Sequence, residues 1–173
     1  ERINDLHLLS ESTSITQSFQ QYEEALFTQG EVATTLDWQT LIAEQYASEF
    51  RKYLTQGYHN ILLVTQQGDV LYSAAETEEQ GQNLLTGPLQ NTGLAKTFRQ
   101  ARSEFTLQDF SPYPPDNNQH RAFLAMPVHN AEKEIAGVLI MVLTPSAINR
   151  IMQQYAGMGE TGESYLIAMN SNG

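Results

Sequence analysis

One segment of the chain carries the side chains best suited to holding a small molecule. It reads Asp-Phe-Ser-Pro-Tyr-Pro-Pro-Asp-Asn-Asn-Gln-His-Arg-Ala-Phe from Asp109 to Phe123 and lies between two predicted strands. Aromatic walls that lose little conformational entropy, combined with a few fixed polar groups, are what a small-molecule pocket requires. The candidate ligand-binding residues are Asp109, Phe110, Tyr113, His120, Arg121 and Phe123.

The charges of this segment indicate which ligand groups it could hold. Asp109 could bind an ammonium group, and Arg121 could bind a carboxylate in bidentate fashion. Arg121 and Phe123 have the same strand parity, so they lie on one face of their strand. We therefore predict that these two residues surround one cavity together with Asp109 and Tyr113. The alternative is a proline-rich rim whose charged groups face water.

Other motifs that could carry chemistry are weaker. Gly157-Met-Gly-Glu-Thr-Gly162 matches the glycine pattern of dinucleotide-binding loops, but a predicted helix precedes it and a predicted strand follows, the reverse of the order required. It is better interpreted as a joint between two modules. His59 is interpreted as a strand-edge residue, and Asp116-Asn117-Asn118 as a solvated turn rather than a calcium site.

The composition excludes several classes of function. The chain has 4 histidines without metal-ligand spacing and no cysteine, which excludes thiolate catalysis and cysteine-based zinc sites. It has no apparent nucleophile–base pair, so we expect neither enzymatic activity nor a metal or cofactor. With 9 basic and 20 acidic residues, the net charge of -11 opposes binding to nucleic acid or anionic lipid.

The length and hydropathy of the chain limit its architecture. Its 173 residues suit one domain, or one domain plus a fragment. No apolar run approaches the roughly 20 residues that cross a bilayer, so we expect any membrane spans to lie outside this sequence.

Two helices are predicted before the first strand. Residues 3–27 have apolar positions in alternating steps of four and three, which is the spacing of a helix seam. This seam consists of Leu8, Ser12, Ile15, Phe19, Tyr22 and Leu26. If the helix is a dimer stalk, the seam should be partly exposed in a monomer and buried in a dimer. A second helix is predicted over about residues 37–56.

The remaining pattern predicts a sheet. A hairpin over Ile61–Ser73 is followed by a short helix, Leu94–Ala101, and by strands at Phe105–Phe110, Ala122–Val128 and Ile135–Leu143. A short helix is predicted at Ile148–Tyr155. The fold class is therefore α+β, with a five-stranded antiparallel sheet, a long N-terminal helix and helices packed on one side. The start of the hairpin is echoed at Ser164–Gly173, which predicts the opening of a second module.

Several phrases taken together are similar to the first module of double Cache domains, which are PAS-like extracytoplasmic sensors of bacterial chemoreceptors, sensor histidine kinases and cyclases. The resemblance covers roughly residues 40–173. It is carried by Gly57-Tyr58, Gly68–Tyr72, Gly81–Leu84, Asp109–Pro115, Ala122–Pro127, Gly137-Val-Leu, Ile148–Met152 and Gly157–Leu166.

This resemblance implies a function and a domain organisation. It implies a periplasmic ligand-sensing domain of a transmembrane signalling receptor, binding an unidentified amine or carboxylate. The domains would be a stalk helix and connection over residues 1–36, a membrane-distal module over 37–156, and a linker with the first strand of a second module over 157–173. The full receptor would be a homodimer through the N-terminal helix. The alternative function is a protein-interaction module that binds a periplasmic binding protein or another partner.

Overall fold

We describe the fold from a computed structural model of the chain, which describes residues 2–29 and 47–147 and the single positions 40, 44 and 149. The predicted helix at Ile148–Tyr155 lies outside the described residues except for position 149, and the glycine-rich joint and the second module lie wholly outside them. No helix of this part is both long enough and apolar enough to cross a membrane.

A single five-stranded sheet organises the described residues. Its strands are β1 (Tyr58–Thr65), β2 (Val70–Ser73), β3 (Thr106–Tyr113), β4 (Gln119–His129) and β5 (Ile135–Leu143). The spatial order is β2-β1-β5-β4-β3, and every neighbouring pair is antiparallel. The predicted α+β class with a five-stranded antiparallel sheet is confirmed. Strand β5 is central, as its continuous apolar run indicates.

Helical segments cover both faces of the sheet. Helices α1 (Arg2–Ser10) and α2 (Thr13–Gln29) and the helical residues 47–55 (α3) contribute to the apolar core on one face. Helix α4 (Gly93–Ala101) packs on the opposite face through Leu94 and Phe98. The hydroxyl oxygen of Thr92 accepts a hydrogen bond from the backbone N–H of Ala95 and so caps the N-terminus of α4.

The N-terminal helix differs from the prediction because it is interrupted at Glu11 and Ser12. The interruption falls in the run Ser10-Glu-Ser-Thr-Ser14, whose short polar side chains compete for backbone hydrogen bonds. The Ser10 hydroxyl, for example, donates to the carbonyl of His7. The break lets α1 pack on β4 and α2 pack on β5.

Three residues of the helix seam are buried within this single chain, and among the seam residues whose exposure is described only Leu8 is exposed, as the predicted dimer stalk would require. Ile15, Phe19 and Tyr22 are 2%, 1% and 5% exposed, whereas Leu8 is 68% exposed. The three buried side chains belong to the same apolar core as the inner strands. Burying them against the sheet removes apolar surface from water without a second copy of the chain. Homodimerisation itself stays a prediction.

Gly137 on β5 allows Phe19 to approach the sheet. A Cβ atom at this position would lie 2.5 Å from Phe19 Cε1 and 2.7 Å from the Val64 carbonyl oxygen. We expect Gly137→Ala to lower the free energy of unfolding by about 1–3 kcal/mol or more, as overpacking does. Urea denaturation would measure this change. Gly93→Ala is the control, because its Cβ would meet its nearest atom at 3.2 Å and should cost less. Equal stability of Gly137→Ala and the parent chain would contradict the prediction.

A buried asparagine fixes the connection that follows β2. The Asn60 side-chain oxygen accepts hydrogen bonds from the backbone N–H groups of Ile61 and Ala75. Its amide nitrogen donates to the hydroxyl groups of Ser73 and Thr77, each at 2.9 Å. Because Asn60 is only 1% exposed, these bonds satisfy a polar group that would be costly to bury alone. They hold the start of the segment that carries Glu79.

Candidate ligand-binding site

The α4 face of the sheet carries a group of polar and charged side chains at one end. They come from the start of β1, the connection after β2, the end of β3, the β3–β4 turn and the start of β4. We call this group the charged cluster, and its members are His59, Glu79, Tyr113, Asp116 and Arg121. Phe123 adds an apolar ring next to Tyr113, with centroids 5.3 Å apart in an edge-to-face arrangement.

Arg121 is the most deeply buried cation of the cluster. Its side chain is 10% exposed. Its Nη1 donates to the backbone carbonyl of His120 at 3.0 Å, and its Nη2 contacts Asp116 Oδ2. Its Nε is buried and has no hydrogen-bond partner among the described residues. A buried N–H donor without a partner is costly, so this side chain is prepared to donate to an additional acceptor.

Tyr113 links the sheet to the segment that follows β2 and carries Glu79. Its hydroxyl donates to Glu79 Oε1 at 2.9 Å, and both residues are buried. Burial raises the pKa of the Tyr113 phenol well above its ordinary value, and the neighbouring Glu79 raises it further. Tyr113 therefore remains a hydrogen-bond donor at any physiological pH, and it partners a carboxylate that would otherwise be buried alone.

His59 makes the second contact to Asp116. Its Nε2 lies 3.2 Å from Asp116 Oδ2, and the two side chains are 30% and 27% exposed. Burial lowers the pKa of the His59 imidazole below its ordinary value of 6.5, and the Arg121 charge lowers it further against the opposing effect of Asp116 and Glu79. His59 is therefore mainly neutral at pH 7.

We expect His59 to make the protein less stable in mild acid. Because the pKa of His59 is lower in the folded state than 6.5, its contribution to stability is present above pH 6.5 and is lost as pH falls through the folded pKa. His59→Gln should flatten the fall in the free energy of unfolding between about pH 7 and pH 5. Urea denaturation across that range would measure it. The exposed His120, changed to Gln, is the control. An unchanged slope in His59→Gln would refute the expectation.

The structure brings together three of the six predicted ligand-binding residues. Tyr113, Arg121 and Phe123 are buried on the α4 face. Asp109 is exposed, and its side chain accepts a hydrogen bond from the backbone N–H of Phe110. The cavity that Asp109 and Arg121 would share stays a prediction, because no ion pair joins these two residues in the described part of the chain. A register shift between Gln108 and Ser111 interrupts the alternation of the strand.

The other two predicted residues also lie away from the charged cluster. Phe110 packs against the core on the α1 side of the sheet, and His120 is exposed. Asp109 and His120 thus fit the alternative of a water-facing rim, whereas Arg121 does not. Whether any of the six residues binds a ligand stays a prediction.

Sequence reasoning missed three members of the cluster. His59 was interpreted as a strand-edge residue, Glu79 lies in a polar connection, and Asp116 lies in a predicted turn. The turn is present, because Asn117 and Asn118 have φ angles of 50° and 57°. The sequence separation between these residues and Arg121 follows no pattern that predicts their proximity in the fold. The only local signal was the carboxylate of Asp116 five residues before a guanidinium.

Comparison with known proteins supports the fold. No protein-family model and no curated protein matches the chain. Among solved structures, the sensor domain of the V. cholerae histidine kinase DctB aligns with 84% of this chain and 48% of its own, at 19% identity and a TM-score of 0.51. The chain has the fold of this sensor domain. The similarity to Cache-type sensor domains, inferred from the sequence, is thereby confirmed at the level of the fold.

Other sensor structures align less closely. The ligand-binding domain of the Pseudomonas fluorescens chemoreceptor CtaA, in complex with L-valine, has 15% identity and a TM-score of 0.45 over 87% of this chain and 59% of its own. The ligand-binding domain of the Campylobacter jejuni chemoreceptor Tlp3, in complex with 4-methylisoleucine, has 12% identity and a TM-score of 0.46. The alignment covers 82% of this chain and 52% of the Tlp3 domain. The chain spans about half the length of each of these three sensor structures.

Proposed function

We propose that this chain is the ligand-sensing part of an extracytoplasmic domain in a bacterial transmembrane signalling receptor of the chemoreceptor, histidine kinase or cyclase type. The observation that carries the proposal is Arg121, a nine-tenths buried cation with an unpartnered Nε inside the charged cluster. A few convergent polar groups beside aromatic rings suit a small polar ligand. The sensor fold supports this role, and the ligand would be an amine or a carboxylate.

The position of Arg121 on β4 supports transmission of a ligand signal to the N-terminal helices. Arg121 and Phe123 belong to the α4 face, whereas their neighbour Ala122 belongs to the core on the α1 face. Further along β4, Met126 Sδ lies 3.0 Å from the hydroxyl oxygen of Ser10 at the end of α1. Suppose that β4 and α1 move together between two arrangements. A ligand that binds one arrangement more tightly would then favour it, by as much as its affinities for the two arrangements differ.

The decisive experiment is a ligand screen by thermal shift. It would use this chain and a longer chain that includes the second module, against broad sets of amino acids, carboxylates and amines. We expect at least one compound to raise the Tm of this chain in a concentration-dependent way. No stabilisation of either chain would argue strongly against direct sensing. Stabilisation of the longer chain alone would assign binding to the second module.

Binding to a protein partner is the competing proposal. It requires an exposed apolar patch, which is typical of protein-interaction surfaces. Among the residues whose exposure is described, Leu8 is the only large hydrophobic side chain that is exposed. The described surface therefore offers less to a protein partner than the charged cluster offers to a small molecule. The homodimer, the periplasmic location and the three-part domain division complete the proposal.

A further inference from the structure

The guanidinium group of Arg121 has one edge that is fixed and one that is incompletely used. Nη1 is held by its hydrogen bond to the carbonyl of His120. Nε and Nη2 form the other edge, which can donate two parallel hydrogen bonds to one carboxylate. Among the described residues, only Asp116 Oδ2 contacts this edge, at Nη2, and Nε has no partner. The second bond of the pair is therefore available.

Asp116 pairs with only one of the two donors of this edge. Its Oδ2 contacts both Arg121 and His59 but makes no aligned hydrogen bond to any described residue. Its side chain is 27% exposed, against 10% for Arg121, and it ends the 3-10 turn Pro114–Asp116. Of the two side chains, that of Asp116 has the greater access to solvent, whereas Arg121 is held within β4.

The charges of the cluster prevent a second carboxylate from joining Asp116. Glu79 and Asp116 already place two carboxylates near a single guanidinium, and His59 is mainly neutral. An additional anion at the same edge would be repelled by Asp116 at close range. An ammonium ion at this edge would be repelled by the charge of Arg121, and because it only donates hydrogen bonds it would leave Nε without an acceptor.

We propose that Asp116 is an internal competitor for the ligand, and that a ligand carboxylate replaces it at the Nε–Nη2 edge of Arg121. The inference rests on the proposed function and assigns the ligand to the carboxylate-bearing small molecules. Asp116 thereby determines specificity. It balances the charge of Arg121 when no ligand is bound. It also weakens the binding of every carboxylate that lacks other contacts strong enough to displace it.

The test uses acetate, with acetamide and ethylamine as neutral and cationic probes of similar size. The resonance of the Arg121 Nε–H is followed by nuclear magnetic resonance and is identified by its loss in Arg121→Lys. We expect acetate, and not ethylamine, to shift this resonance. Asp116→Asn should raise the affinity for acetate at least about tenfold, because it removes a nearby like charge, and should not raise the affinity for ethylamine. Asp116→Ala should act in the same direction, and thermal unfolding would check that both variants are folded.

The outcomes separate this inference from the proposed function. An acetate affinity that is unchanged or lower in both folded Asp116 variants would overturn the inference, as would an Nε–H resonance that acetate does not move. Binding of ethylamine that is weakened by Asp116→Asn would also overturn it, by making Asp116 a ligand contact, while the proposed function would stand. The proposed function fails only if no compound of the broader screen binds.

Discussion

Arg121→Ala is expected to weaken binding of any compound identified in the screen by tens-fold or more while leaving the sheet folded. Removing one member of a buried charged contact costs about 2–5 kcal/mol, and Arg121 supplies the buried donor with no described partner. Isothermal titration would measure the loss. Arg121→Lys should recover little of it, because an ammonium group cannot form two parallel bonds to one carboxylate.

Two matched variants make this expectation specific. Arg102 is exposed and lies over the ring of Phe98, 6.0 Å from its centroid, so Arg102→Ala should leave binding unchanged. Asp109→Ala should also have little effect, because its side chain is exposed and bonds to the adjacent backbone. Equal losses of ligand affinity in Asp109→Ala and Arg121→Ala would support the shared cavity that was predicted from the sequence. Binding that survives Arg121→Ala intact would move the site elsewhere.

Phe19→Asp is expected to unfold the domain. The side chain is 1% exposed in the core between α2 and the sheet, and truncation of such a phenylalanine alone costs about 3–5 kcal/mol. A carboxylate buried there adds a desolvation penalty. Together these costs are comparable with the roughly 5–15 kcal/mol that stabilise a typical domain. Circular dichroism and thermal unfolding would show the loss.

Leu8→Asp is the matched control on the preceding helix. Because Leu8 is 68% exposed, its replacement should change stability by no more than about 0.5 kcal/mol. A folded Phe19→Asp protein that has lost only self-association would contradict the burial described here and favour a dimer stalk. A Leu8→Asp protein that unfolds would indicate that the position of α1 is wrong.

The fold was largely predictable because its strands carry strong local patterns. The apolar run from Gly137 to Leu143 identified the central strand, and the hairpin over Ile61–Ser73 identified β1 and β2. The break between α1 and α2 was not predicted, because the seam continues through Ser12 with regular spacing. The hydroxyl groups that compete for backbone hydrogen bonds, and the packing of both helices on the sheet, favour two shorter helices over one.

The site was predictable only where strand parity governs it. Parity placed Arg121 and Phe123 on one face, and the structure confirms that. Parity gave no placement for Asp109, because the register shift beside it in β3 is decided by pairing with β4 and not by the residues of β3 alone. Glu79 reaches Tyr113 across 34 positions of the chain, a distance over which local patterns carry no information.

The interruption at Glu11 and Ser12 has a mechanical consequence. A continuous α-helix is stiff along its axis and behaves as a rod, whereas two helices joined by non-helical residues can tilt independently. Since α1 lies mainly on β4, whereas α2 is shared between β5 and β4, a sideways displacement of β4 relative to β5 would act unequally on the two helices. A force applied at the N-terminus would act first through Leu6 and Leu9, the buried leucines of α1. It would therefore shear the sheet locally, where α1 packs, and would not displace the sheet across its whole width.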